Sequence, residues 1–246
     1  NYPIHSIDYC ANFLNKKIQS IRDVCHRQKI KCNTPADISY FTNIETPEAA
    51  YILGLIWADG YIDNNQNGKK NRNTTLTLIE EDMKTIKNVF YKTSSNWTFR
   101  TESRLNKKVL GQLRLSSKKL HNFLLENDYE SKSHKSADKI LSKIPDHLKH
   151  YWFRGLSDGD GCFYISKNLK NVQFNCSSNY DQDWSYIEGL FKFLEIKYSI
   201  KRMKRINSKT GGQSNYSFVR VTSIVNVIKL GNYLYQDYET NKIGFP

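Results

Sequence analysis

The sequence predicts an α+β chain built from two αββαββα halves fused head to tail, with a small helical segment in front. Three observations carry this. The stretch Tyr51–Gly60 recurs as Trp152–Gly161, each an apolar, helix-compatible run with a Gly, a small residue four positions on, and a closing Asp-Gly. Asp160 follows Asp59 by 101 residues, Arg114-Leu-Ser-Ser117 returns as Arg220-Val-Thr-Ser223 at 106, and Lys119–Leu124 returns as Lys229–Leu234 at 110. Such slowly rising offsets are those of a duplicated unit with small loop insertions. Helical and alternating patterns also succeed one another in the same order in both halves.

Taken in order, residues 1–30 read as a helix-turn-helix-like segment, with helices over Ser6–Leu14 and Ile18–Gln28. The second has Ile18, Ile21, Val24 and Cys25 on one face and a polar face that includes Arg22 and Arg27. Such a helix suits a major groove. Residues 31–45 show no helical or strand period and read as a linker. Thr46-Pro47-Glu48 is a helix start: Thr caps, Pro fits the first turn, and Glu suits the positive end. The first repeat, 46–144, then continues with strands at Tyr61–Asp63, Thr74–Glu80, Trp97–Glu102 and Leu110–Ser116, and helices at Asp82–Tyr91 and Lys118–Glu126. The second, 145–246, has strands at Cys162–Lys167, Val172–Ser177, Tyr198–Ile206 and Gln213–Ser223, and helices at Trp184–Leu194 and Ile224–Tyr235.

The chain has 246 residues, a formal net charge of +13 and a hydrophobic content of 39%. That is enough apolar material for a real core, and the positive field attracts polyanions. Membrane association is set aside, since no apolar run approaches the ~18 residues a span needs and no basic helix has a strong apolar face. No secretory signal is visible. Five cysteines, odd in number and without a CxxC pair, fit reduced thiols in an intracellular compartment. The Asn, Lys and Ile bias fits an AT-rich organellar, viral, phage or microbial genome.

The duplicated stretches carry the chemistry. Gly54 with Ala58, and Gly155 with Gly159, share a helix face at i, i+4. Gly inside a helix costs about 0.5–1 kcal/mol relative to Ala, so its repetition calls for a close helix–helix seam. Asp59 and Asp160 then stand at the negative ends of the two helices, where a carboxylate is the wrong charge. If the helices pack in parallel, the carboxylates also meet each other, and a divalent cation with oxygen ligands resolves the conflict.

At these residues the chain resembles the LAGLIDADG homing endonucleases. Ile52–Gly60 and Phe153–Gly161 lie over the motif, with Gly and the final Asp-Gly in register in both copies. Trp57 departs from it where an acidic residue is frequent, as do Arg154 and Ser157 in the second copy. The resemblance covers roughly residues 46–246. It implies a monomeric, site-specific endonuclease that breaks both strands of double-stranded DNA at a long target and leaves short 3′ overhangs. It implies Mg²⁺ as cofactor, with Mn²⁺ able to substitute and Ca²⁺ binding without cleavage. Asp59 and Asp160 would bind metal, with the carbonyls of Gly60 and Gly161 as further ligands, and would serve catalysis together with Lys132 and Lys242, which match basic positions after each repeat. Glu80 and Ser177 or Ser178 lie near strand ends where family members place polar pocket residues. No histidine sits suitably near the motifs, so no general base is assigned. An RNA-splicing maturase that binds intron RNA, and an inactive DNA-binding regulator, are the alternatives on the same fold.

A fused pair suits a duplex, whose strands are related by local two-folds, and each half would present one antiparallel sheet to a major groove. Alternation turns Leu113 and Leu115 inward and leaves Gln112 and Arg114 outward. In the second half Val172, Phe174 and Cys176 turn inward, leaving Gln173 and Asn175. With Arg100, Lys201, Arg202, Lys204, Arg205 and Arg220, these form the expected DNA-binding set.

Overall fold

The two motif helices pack directly on each other at the centre of the molecule, and both sheets are hung from their ends. In this computed structural model, residues 13–28, 38–63, 72–94, 96–103, 108–168, 171–206 and 212–244 are described. Within them α1 spans Ile18–Arg27, α2 Ser39–Thr42 and α3, the first motif helix, Pro47–Asp59. The first repeat continues with β1 (Gly60–Ile62), β2 (Asn73–Ile79), α4 (Glu80–Thr93), β3 (Thr98–Glu102), β4 (Leu110–Ser116) and α5 (Lys118–Glu126). After a short helix, α6 (Asp138–Leu141), the second has α7 (Lys149–Asp160), β5 (Gly161–Ile165), β6 (Val172–Ser178), α8 (Ser185–Phe193), β7 (Ser199–Ile206), β8 (Gln213–Val221) and α9 (Ile224–Leu234). The sheets have the same order, β1-β2-β4-β3 and β5-β6-β8-β7, every pair antiparallel. The tandem αββαββα plan expected from the duplicated stretches is the plan found.

Local chemistry accounts for the helix starts. Thr46 caps α3 by accepting from the Ala49 amide at 3.3 Å, and Pro47 opens the helix. Ser117 caps α5 in the same way through the Leu120 amide. Helix α4 begins two residues earlier than the sequence pattern suggested, because Glu80, Glu81 and Asp82 fill its first turn, where the helix dipole favours negative charge.

The seam shows why the motif glycines recur. A Cβ on Gly54 would lie 1.9 Å from the Trp152 carbonyl oxygen, and one on Gly155 would lie 2.1 Å from that of Tyr51. Main chain meets main chain, so only glycine fits. The departures from the motif are buried structural residues. Trp57 packs edge-on to Tyr129 and Tyr186, at 5.0 and 6.2 Å between ring centroids, and also touches Trp152. Arg154 is fully buried. It donates to the carbonyls of Leu234 and Ile243 and to Asp237, between the rings of Tyr151 and Tyr235. That arrangement fastens the C-terminal tail to α7.

Two readings need correction here. The segment read as a linker is part of the core from Ile38 onward: Ile38, Phe41 and Ile44 are buried, and Phe41 lies edge-on to Trp97. Its apolar residues are too few and too irregularly spaced to show a period. Glu80, read as the last residue of a strand, lies outside it. It opens α4 and pairs with Lys84 one turn on at 2.9 Å. Of the helix-turn-helix reading, residues 1–12 and 29–37 lie outside the described residues, and so does the side chain of Arg22. Helix α1 is present, and none of its described side chains is buried.

Candidate active site

Asp59 and Asp160 are the last residues of α3 and α7. Each is followed by a glycine in extended conformation, Gly60 at φ −74° and Gly161 at φ −84°. The glycines are therefore needed for space and not for a left-handed turn: a Cβ on Gly161 would lie 2.4 Å from the Ser157 carbonyl oxygen. Because the helices run side by side, their ends converge. The Asp59 carboxylate lies against Gly159 of the other helix, 3.1 Å from where that residue's Cβ would stand.

The pair is electrostatically strained. Both side chains are exposed to solvent, yet the protein around their carboxylates strips part of their hydration. Lost hydration raises Asp59, with Lys132 opposing the rise. Asp160 is pushed up to about 6, first by burial and then by the negative charge of Asp59, with Lys132 again opposing. A single ammonium therefore leaves like charge unresolved between the two carboxylates.

Lys132 is the third member. It follows the short 3₁₀ turn Tyr129–Ser131, and its Nζ donates to the carbonyls of Ile56, Ala58 and Gly60 at 2.9, 2.8 and 2.8 Å. These carbonyls lie at the negative end of α3, where a cation is favoured; that of Ile56 also accepts the Gly60 amide. Burial pushes the lysine down to about 8, against the pull of Asp160 and Asp59. The Gly60 carbonyl, expected as a metal ligand, thus already accepts a charged hydrogen bond. Lys242 does not share this arrangement. It is exposed, and it is absent from the charges that act on either carboxylate. The tail around it is drawn instead to Arg154, through the Ile243 carbonyl.

A polar cavity of about 240 Å³ opens beside Asp160 and Lys132, with Ser177, Ser178 and Gln182 in its wall. The serines lie where polar pocket residues were expected. Tyr180 also borders it and meets the His134 ring edge-on at 5.2 Å. Among the described residues no three His, Cys, Asp or Glu side chains cluster as a metal site. A cation between the helix ends would take two carboxylates from the protein and the rest of its shell from carbonyls, water or substrate.

The outer faces of the sheets carry most of the expected binding set. In the first sheet Arg100 stands opposite Gln112, and Arg114 lies between Thr75 and Thr98, all on the side away from Leu113 and Leu115. In the second, Gln173 and Asn175 face outward with Arg220, whose Nε donates to Asn175 Oδ1 at 2.6 Å while its guanidinium lies over Phe218. Register splits the basic run on β7. The side chain of Arg205 lies outside the described residues. Lys201 pairs on the Arg220 side, whereas Arg202 and Lys204 alternate to the opposite side. Arg202 there binds Asp181 at 2.7 Å. Those two leave the outer-face set, because side chains in a strand alternate. Arg27 is exposed on α1.

No protein-family model and no curated protein matches the sequence. Among solved structures the chain is similar to the homing endonuclease I-WcaI bound to its DNA recognition sequence. The identity is 16%, the match covers 89% of this chain and 94% of that one, and the TM-score is 0.48. It is also similar to the N-terminal LAGLIDADG domain of DUF199/WhiA, at 9% identity over 76% of this chain and 82% of that one, with a TM-score of 0.43.

Proposed function

We propose that the chain is a monomeric, site-specific endonuclease that hydrolyses both strands of double-stranded DNA with Mg²⁺. The observation that carries this reading is the converging pair Asp59 and Asp160 at the ends of two packed helices, with Lys132 beside them. A shared carboxylate pair held above its ordinary range is costly to the fold, and such strain gathers at working sites. The pseudo-twofold between the repeats matches that of a duplex, and the outer sheet faces offer Arg, Gln and Asn, the side chains suited to paired contacts with base edges.

The donor set fits a divalent ion: two adjacent carboxylates under mutual repulsion gain most from a shared cation. Asp59 and Asp160 would hold it. Bound there, Mg²⁺ supplies Lewis acidity toward a phosphodiester and lowers the pKa of water. The residues of the chain do the remainder. Lys132 fixes the end of α3, and so Asp59, and places positive charge where a phosphate approaches. The cavity lined by Ser177 and Ser178 admits water on the side of Asp160. Arg220, braced by Asn175, presents a preset guanidinium to the groove.

The test is cleavage of a supercoiled plasmid pool carrying random inserts, in Mg²⁺ and in EDTA. Linear product in Mg²⁺ alone, with one long sequence enriched at the cut ends, supports the reading. No cutting in Mg²⁺ or Mn²⁺, or an Asp160→Asn variant that cuts at the normal rate, overturns it.

A further inference from the structure

Lys132 belongs to neither repeat's regular structure. It sits in the segment after α5 that joins the halves, so something outside that segment must hold it in place. The second repeat does. In the loop between β6 and α8, Gln182 is buried, and its Nε2 donates to the carbonyls of Lys132 and Lys135 at 2.7 and 3.1 Å. Its own amide donates at 3.0 Å to Oγ of Ser217, a fully buried residue of β8. That hydroxyl donates in turn to the Tyr180 carbonyl and accepts from Trp184 Nε1. Every hydrogen-bonding capacity of Ser217 is thereby used to set this loop. A further bond between Ser185 and Ser136 at 2.8 Å closes the same seam.

The chain of contacts runs from the second sheet through Ser217 and Gln182 to the Lys132 main chain, and from Lys132 Nζ to the carbonyl end of α3 beside Asp59. We infer that Gln182 is a positioning residue: it holds Lys132 at the carboxylates and makes the basic member of the first repeat's site depend on the second repeat. The amide alone does this, since an ionised carboxylate offers no donor and a shorter side chain does not span the gap. The inference rests on the nuclease reading only for its catalytic consequence.

Its test uses the full chain and acetic anhydride, with each lysine's acetylation read by mass spectrometry. In the wild type Lys132 is protected relative to the exposed Lys139. In Gln182→Met, which keeps bulk without a donor, and in Gln182→Glu, Lys132 acetylation is expected to rise at least tenfold while Lys139 and the unfolding midpoint hold. On the plasmid pool, Lys132→Ala and Gln182→Met are expected to lose cleavage by a similar factor, on the order of 10²-fold, and the double variant no more than either alone. Unchanged protection of Lys132 in both Gln182 variants overturns the inference, as does a uniform rise at every lysine. If the wild type cuts no DNA, the nuclease reading fails while the acetylation result still decides the role of Gln182.

Discussion

Substituting Gly54 by Ala tests the helix seam, because one methyl group meets backbone that cannot rotate away. The new Cβ would stand 1.9 Å from the Trp152 carbonyl oxygen, 2.8 Å from its carbonyl carbon and 3.1 Å from the Leu156 amide nitrogen, where ordinary contact begins at 3.4 Å. The helices must therefore separate by more than 1 Å, since 3.4 less 1.9 is 1.5. Overpacking a core against movable side chains costs about 1–3 kcal/mol. Against main chain the upper end applies, less about 1 kcal/mol for the better helix propensity of Ala, so a net loss of about 2 kcal/mol or more is expected. The fold supplies its own control. At Gly189 in α8 and Gly231 in α9 an added methyl would meet nothing within 4 Å, so Ala at either is expected to stabilise by about 0.5–1 kcal/mol. Urea denaturation of the three variants at one pH measures both signs. Parting the seam also moves Asp59 from Asp160, so Gly54→Ala is expected to lose Mg²⁺-dependent cleavage. If Gly54→Ala matches Gly231→Ala in stability, the helices are not in main-chain contact and the reasoning is refuted.

Asp160→Asn is expected to abolish cleavage and yet raise stability above pH 7 without metal. A folded-state rise from 3.8 to about 6 corresponds to about 3 kcal/mol undiluted, cut to about 1 kcal/mol because the side chain reaches solvent. The folded state binds the proton more tightly, so wild-type stability falls as pH rises from about 4 through 6 and is then level. The advantage of the Asn variant should accordingly vanish near pH 4 in thermal melts. Arg220→Ala is expected to weaken binding to the enriched target by about 1–3 kcal/mol and relax discrimination at one position. Arg202→Ala, whose side chain turns to Asp181, should leave affinity for the same duplex nearly unchanged in a fluorescence-anisotropy titration. Arg154→Leu should destabilise by about 3–5 kcal/mol, since it strands Asp237 without its cation, and limited proteolysis should then release the C-terminal tail first.

Much of this architecture was legible in the chain itself. The i, i+4 small residues before each Asp-Gly foretold a close seam, because glycine repeated inside a helix is a penalty that close backbone approach explains. The alternation of Leu113 and Leu115 with Gln112 and Arg114 foretold which side of β4 is dry. Failures came where local pattern was uninformative. Ile38, Phe41 and Ile44 enter the core on an irregular path. A run of four cations on β7 looks uniform in sequence, although strand alternation divides it.

By itself, then, the sequence determined the duplication, the two helices, the glycine seam and the carboxylates that end it. Those follow from period and spacing, which act over a few residues. Only the tertiary structure decided that Lys132 joins the pair while Lys242 stays at the surface, and that Arg154 takes the tail in which a matching cation was expected. Only it placed Gln182, from a loop with no repeat of its own, beneath Lys132. Those choices depend on which carbonyls and charges meet across distant segments, and one-dimensional spacing carries no record of such meetings.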